Sequence, residues 1–247
     1  MASKYILHYW PVIPGRGEYV RLALESVQCP YTEKNKPWEL VMKIDGKINP
    51  PHFAPPLLEI VEEEKAAILS QTPAILAYLA PILGLDGKSS KTSKEIMRAQ
   101  VNQITLTVLD LNDEVHDVHH PIASADFYEA QKLEAMKRAA DFRKVRIPKF
   151  FSLFQMTLKN NPESKQWLLG SSFTTADLVL YQVVDGLHFA FPRLMSALKK
   201  GGEYKNVFAL RDSVADLDTI KNYLQSDRRK PYSNGIFRHY PELDGEE

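Results

Sequence analysis

Between residues 4 and 79 the apolar pattern switches repeatedly between the two-residue period of a strand and the helical period, and few architectures bury all those faces at once. Tyr5-Ile6-Leu7-His8-Tyr9-Trp10 is aromatic and aliphatic enough for a strand, ended by Pro11, Pro14 and Gly15. From Gly15 to Gln28, Val20, Leu22, Ala23, Leu24 and Val27 form an apolar stripe opposed by Arg16, Glu18, Arg21 and Glu25, which predicts an amphipathic helix. Tyr31 to Lys36 reads as a second strand. Residues 37–55 hold four prolines and little periodicity, and predict an extended loop. Leu57 to Val61 and Ala66 to Leu69 read as a hairpin, and Ser70-Gln71-Thr72-Pro73 supplies a hydroxyl cap and an early proline for a helix over Ala74 to Leu79. The order β-α-β, loop, β-β-α demands one mixed sheet with helices packed on it.

Residues 83–94 turn to Gly, Ser, Thr and Lys, a linker composition. The expected domains are therefore 1–83, α/β, and 94–247, all-helical. Helical patterns run over Glu95 to His120, Phe127 to Leu158 with a break at Pro148, Ala176 to Phe191, and Val207 to Gln225. Thr174 and Asp177 have the spacing of a capping box, hydroxyl and carboxylate each meeting an exposed amide at a helix start.

A length of 247 residues, with 44% hydrophobic and 25% charged residues, gives material for a buried core and argues against wholesale disorder. Thirty-one basic residues balance 31 acidic ones, so no cationic excess exists to drive binding to nucleic acid. Cys29 is the single cysteine, excluding an intramolecular disulfide and a multi-thiolate zinc site and favouring a reducing, cytoplasmic setting. No signal peptide pattern and no long apolar run suggests a membrane segment. His116, Asp117, His119 and His120 cluster without a recognised ligand motif, so no metal is expected.

Four strings in this order resemble the cytosolic glutathione transferases, nearest the sigma and mu classes. They are Tyr9-Trp10 followed by Gly15-Arg16-Gly17-Glu18-Tyr19-Val20-Arg21; Pro56-Leu57-Leu58-Glu59-Ile60; Gln71-Thr72-Pro73-Ala74-Ile75-Leu76-Ala77-Tyr78-Leu79; and Trp167 through Asp177. The resemblance spans about residues 4–225 and implies a thioredoxin-like N-terminal domain, an all-helical C-terminal domain, glutathione as co-substrate and a homodimer. It assigns Tyr9 the hydroxyl that stabilises the glutathione thiolate, and Arg16 a supporting cation. Tyr5, on the same strand face, is the competing tyrosine. Gln71 and Thr72 match the pair that holds the γ-glutamyl carboxylate at a helix N-terminus. Pro56 matches the family's cis-proline. Pro55 before it keeps a carbonyl for the cysteinyl part of glutathione but lacks the amide of the usual second bond. Trp38 and Lys43 resemble the pair meeting the glycyl carboxylate, in a loop longer than the family pattern. Asp110 matches the aspartate that reaches the neighbouring subunit's glutathione.

Trp10, Val12, Ile13, His116 and His120 are the residues the resemblance places around a small hydrophobic electrophile, and Tyr232, Ile236, Phe237 and Tyr240 of the C-terminal extension are candidates for a lid over it or for packing on the domain. The implied activity is conjugation of glutathione in detoxification, with glutathione-dependent isomerisation as a variant. The rival reading is a non-catalytic carrier or structural protein on the same scaffold.

Overall fold

The computed structural model describes residues 4–41, 50–61 and 66–245. The chain divides into two compact units, Met1–Asp86 with Leu217–Pro231, and Gly87–Asp216 with Tyr232–Glu247. The expected domain limits need one correction: residues 217–231 belong with the first unit, not with the helical remainder.

In the first unit, β1 (Tyr5–His8), β2 (Tyr31–Lys34), β3 (Leu57–Val61) and β4 (Ala66–Ser70) form one sheet in the order β2-β1-β3-β4. β1 and β2 are parallel, Tyr5 opposite Tyr31, because α1 (Gly17–Ser26) forms the crossover that parallel strands require. β3 runs antiparallel to both neighbours, with Leu7 opposite Leu58 and Leu58 opposite Leu69. Period-two alternation sends Tyr5, Leu7 and Tyr9 into a core with Val20 and Leu24 of α1 and Ile75 and Leu79 of α2 (Thr72–Leu83). His8 points the other way and meets Glu59 at 2.8 Å. The stretch read as a plain loop contains a 3-10 turn, Pro37–Glu39, and an isolated bridge between Val41 and His52.

The second unit is helical: α3 (Lys94–His119), α4 (Lys132–Asp141), α5 (Ile147–Asn160), α6 (Thr175–Ala190), α7 (Pro192–Gly201) and α8 (Lys205–Ala215). α6 is its core element, packed against α3 and α8. Asp177 is wholly buried and accepts from the Leu168 amide and from the Thr174 amide and hydroxyl, each at 2.8 Å. The break expected at Pro148 is a π-helical turn over Phe142–Arg146, and Pro148 sits in the first turn of α5, where its missing N–H costs nothing. The helix expected over Val207 to Gln225 is two helices, α8 and α9 (Asp218–Leu224), and α9 is part of the first unit.

That return of α9 explains a second correction. Glu18, Arg21 and Glu25, expected on the polar face of α1, are all buried. Glu18 accepts from the Tyr223 hydroxyl at 2.7 Å and from Arg21 at 3.1 Å, and pairs with Arg229. Arg21 also donates to Glu33 at 2.8 Å and to the Pro14 carbonyl at 3.2 Å. α1 therefore buries an apolar face against the sheet and a charged face under α9. A buried pair stabilises little in sum, but removing one partner strands the other charge in low dielectric. Glu18→Ala is expected to cost about 3–5 kcal/mol in urea unfolding, and an unchanged midpoint would show that the cations it meets are already solvated.

Candidate functional site

β1 ends at His8, and the next residue, Tyr9, is only 5% exposed. Its ring is clasped by the turn that opens α1. A Cβ at Gly15 would overlap the Tyr9 hydroxyl and one at Gly17 would overlap the ring, while Gly15 holds φ +46°. Glycine at both positions is what lets the backbone come this close. The Arg16 amide donates to the Tyr9 hydroxyl oxygen at 2.7 Å. Burial pushes the Tyr9 pKa up, opposed by the Arg16 and Gly17 amides and by the Arg21 and Arg16 charges. Tyr9 is therefore protonated at neutral pH, with its oxygen already accepting from the backbone. Among the described residues no acceptor takes its proton. A hydroxyl so arranged is a hydrogen-bond donor to an incoming anion, not a base.

Tyr5 lies on the same strand face at 2% exposure; burial and the neighbouring Tyr78 push its pKa up to about 12.

At the far end of the hairpin, Gln71 sits at φ +68°, a conformation that non-glycine residues adopt at a cost of about 1–3 kcal/mol and that clusters at ligand clamps. Thr72 begins α2. It is 1% exposed and its hydroxyl has no hydrogen-bond partner, and no side chain caps this helix. Helix-start amides and a buried unpaired hydroxyl together fit a carboxylate. The Pro55–Pro56 peptide bond is cis. His52, three residues before Pro55, is buried; its Nδ1 lies 3.0 Å from the Ser70 hydroxyl and its Nε2 has no partner. The sequence offered no signal for it, because one histidine in a proline-rich stretch has no period to betray its burial.

Trp38 and Trp10, given separate roles above, stack on each other with ring centroids 5.7 Å apart and planes 22° apart. Trp38 is 55% exposed and Val12 is 68% exposed, while Ile13 packs against the core cluster to which Tyr9 belongs. Lys43 lies outside the described residues.

Asp110 is exposed on α3 in the second unit. At the end of that helix His116, His119 and His120 form a ring cluster with centroids 4.8–5.1 Å apart. Among the described residues no group of three His, Cys, Asp or Glu side chains is arranged to hold a metal ion, and no helix is long and apolar enough to cross a membrane. The cluster instead anchors the C-terminal segment: His119 Nε2 donates to the Ile236 carbonyl at 2.9 Å. Tyr240 stacks on Tyr128 at 3.8 Å, the Tyr232 hydroxyl donates to Asp185 at 2.9 Å, and the Phe237 ring occupies the space a side chain at Gly186 would need. Asp244, buried, accepts from the Arg193 and Leu194 amides. Of the two roles considered for the extension, packing on its own helical unit is the one observed.

The model for "Glutathione S-transferase, C-terminal domain" matches residues 116–227. Glutathione S-transferase A4 of Bos taurus is 26% identical over 240 residues, covering 96% of each chain. The solved glutathione S-transferase of Ascaris lumbricoides aligns with TM-score 0.67 and 23% identity over 93% of this chain and all of that one. A nu-class enzyme from Haemonchus contortus aligns with TM-score 0.62 and 24% identity over 93% of this chain and 98% of that one. The fold expected from the sequence is thus the fold found, and these relatives carry A4 and nu designations, so they do not confirm the sigma or mu class.

Burial first, with repulsion from Arg238 and the neighbouring histidines, holds His119 down at about 3 despite its bond to Ile236. His119 in the unfolded chain protonates near its ordinary value, so the neutral, folded form is favoured above that value and loses its advantage as pH falls below it. Between pH 8 and pH 5 the wild type is expected to lose about 1–2 kcal/mol more than His119→Gln in chemical unfolding. Parallel losses in the two proteins would show that His119 does not titrate this stability.

Proposed function

We propose that this chain is a cytosolic glutathione S-transferase, in which Tyr9 donates its unclaimed proton to the sulfur of bound glutathione and so favours the thiolate. The observation that carries this reading is the Tyr9 hydroxyl itself, with oxygen satisfied by the Arg16 amide and proton unassigned. Glutathione supplies the nucleophilic sulfur, and this chain's residues bind it and hold its charge. Thr72 and the start of α2 receive its γ-glutamyl carboxylate, and Gln71 is held in a strained backbone to meet the same end. Pro55 offers its carbonyl to the cysteinyl backbone, in a single bond because it has no amide. Arg16 adds positive charge beside the sulfur. Trp38 and Lys43 take the glycyl end, and Asp110 the glutathione of a second copy in a homodimer.

Transfer of that sulfur to a small hydrophobic electrophile completes the proposed reaction, and isomerisation would follow if the same sulfur later departs. The exposed apolar surface of Trp10 and Val12 supports an apolar second substrate. The missing Pro55 amide favours the rival reading of a carrier, because it removes one bond from glutathione without touching the fold.

Ultraviolet difference absorbance of the protein–glutathione complex across pH separates these readings. The thiolate signal is expected to appear well below the solution pKa of glutathione and to move upward by about one unit or more in Tyr9→Phe, the equivalent of one charge-assisted hydrogen bond. Binding without ionisation would leave carriage as the function. In the same protein Thr72→Val, which preserves shape, is expected to weaken glutathione binding about tenfold by calorimetry, as loss of one hydrogen bond to a charged group does. Unchanged affinity would move the carboxylate elsewhere.

A further inference from the structure

A cleft of about 490 Å³ opens wholly within the first unit, beside the C-terminal end of α1. That volume lies within the range of small-molecule sites, about 300–1,000 Å³. Tyr31 and Glu33 of β2, the edge strand of the sheet, and Asn35 just after it line one wall. Thr219, Asn222, Arg228 and Lys230, from the returning segment, line the other. Gln28, Cys29 and Pro30 lie between them, and Gln28 is held at φ +55°.

Charge pairing inside this cleft is unequal. Both carboxylate oxygens of Glu33 are taken by Arg21, at 2.8 and 3.2 Å. Glu25 accepts from the Tyr31 hydroxyl at 2.9 Å and pairs with Arg228, which also lies over the Tyr223 ring. The Thr219 hydroxyl donates to the Ser26 carbonyl at 2.9 Å. Lys230 is half-buried, and among the described residues no carboxylate pairs with it. Gln28, Asn35 and Asn222 are exposed at the cleft, and their carboxamides have no hydrogen-bond partner among the described residues. Once the two acids are neutralised by arginines, one positive charge remains in a cleft that three exposed donor–acceptor amides also line. Such a set complements an anion carrying its own polar groups.

We propose that this cleft is a second ligand site that takes a small organic carboxylate, its charge on Lys230 and its polar body among Gln28, Asn35 and Asn222. The site depends on no residue assigned above to glutathione, so it stands or falls apart from that reading.

Cys29 reports on it directly. As the chain's single cysteine it gives one alkylation signal, and it lines the cleft. Burial raises its thiol above the ordinary range, so iodoacetamide labelling of the full-length protein belongs at mildly alkaline pH. Succinate at constant ionic strength is expected to slow labelling saturably, and neutral succinamide to leave it unchanged. Lys230→Met is expected to raise the succinate concentration for half-protection at least about tenfold, the scale of a lost hydrogen bond to a charged group. Calorimetric titration of succinate into both proteins reads the same change without a label. Absence of saturable protection and of binding heat, equal protection by succinamide, or equal affinity in Lys230→Met would each overturn the proposal.

Discussion

Arg21 is a full positive charge with no solvent exposure, and the geometry of the first unit depends on how that charge is met. Its guanidinium donates to Glu33 on β2, to Glu18 on its own helix and to the Pro14 carbonyl in the turn before it, and it stands 5.6 Å from the centre of the Tyr9 ring. A guanidinium has a fixed planar fork, so satisfying three partners at once fixes where strand, helix and turn lie. The Pro14 carbonyl is the last fixed point before Gly15 and Gly17 close over Tyr9. A buried ion carries a solvation cost that apolar packing would avoid, and here it coincides with a hydroxyl held in one orientation.

Polar groups are treated in two opposite ways across the molecule. Asp177 is fully buried and every nearby donor is used; although burial lifts its pKa to about 6, three hydrogen bonds oppose that rise. Asn161 in the same unit is similarly used, donating to the Trp167 and Gly170 carbonyls at 2.8 and 2.9 Å. Those side chains hold structure. Elsewhere buried polar groups keep an orphan atom, Thr72 and His52 in the first unit and Thr105 and His119 in the second, and Gln71 between Ser70 and Thr72 is strained. Native structures keep few buried unpaired polar atoms. Two of them lie on either side of one strand end, His52 by way of Ser70 and Thr72 at the start of α2.

The C-terminal segment illustrates how packing that composition leaves open is decided by distant partners. Tyr232, Phe237 and Tyr240 are large and apolar enough to cover a substrate, but each has a partner in the second unit: Phe189 stacks on Tyr232 at 5.1 Å, Gly186 admits Phe237 and Tyr128 receives Tyr240. Polar bonds from Arg193, Arg143 and Lys132 fix the end of the segment. Opening it would expose buried Phe237 and Leu243 and strand the Asp244 carboxylate.

The sequence by itself determined the order of strands and helices as far as α2, the hairpin, the start of α2 and the capping box at Thr174 and Asp177, because each is written in residues within a few positions of one another. What covers α1 was decided only by the tertiary structure. Glu18 and Tyr223 are 205 residues apart, and no local period can say that a charged face will meet a tyrosine and an arginine rather than water. The stacking of Trp10 on Trp38, the burial of His52 and the docking of the C-terminal segment have the same origin: periodicity reports which face of an element is apolar, whereas long-range contacts choose the partner for every other face.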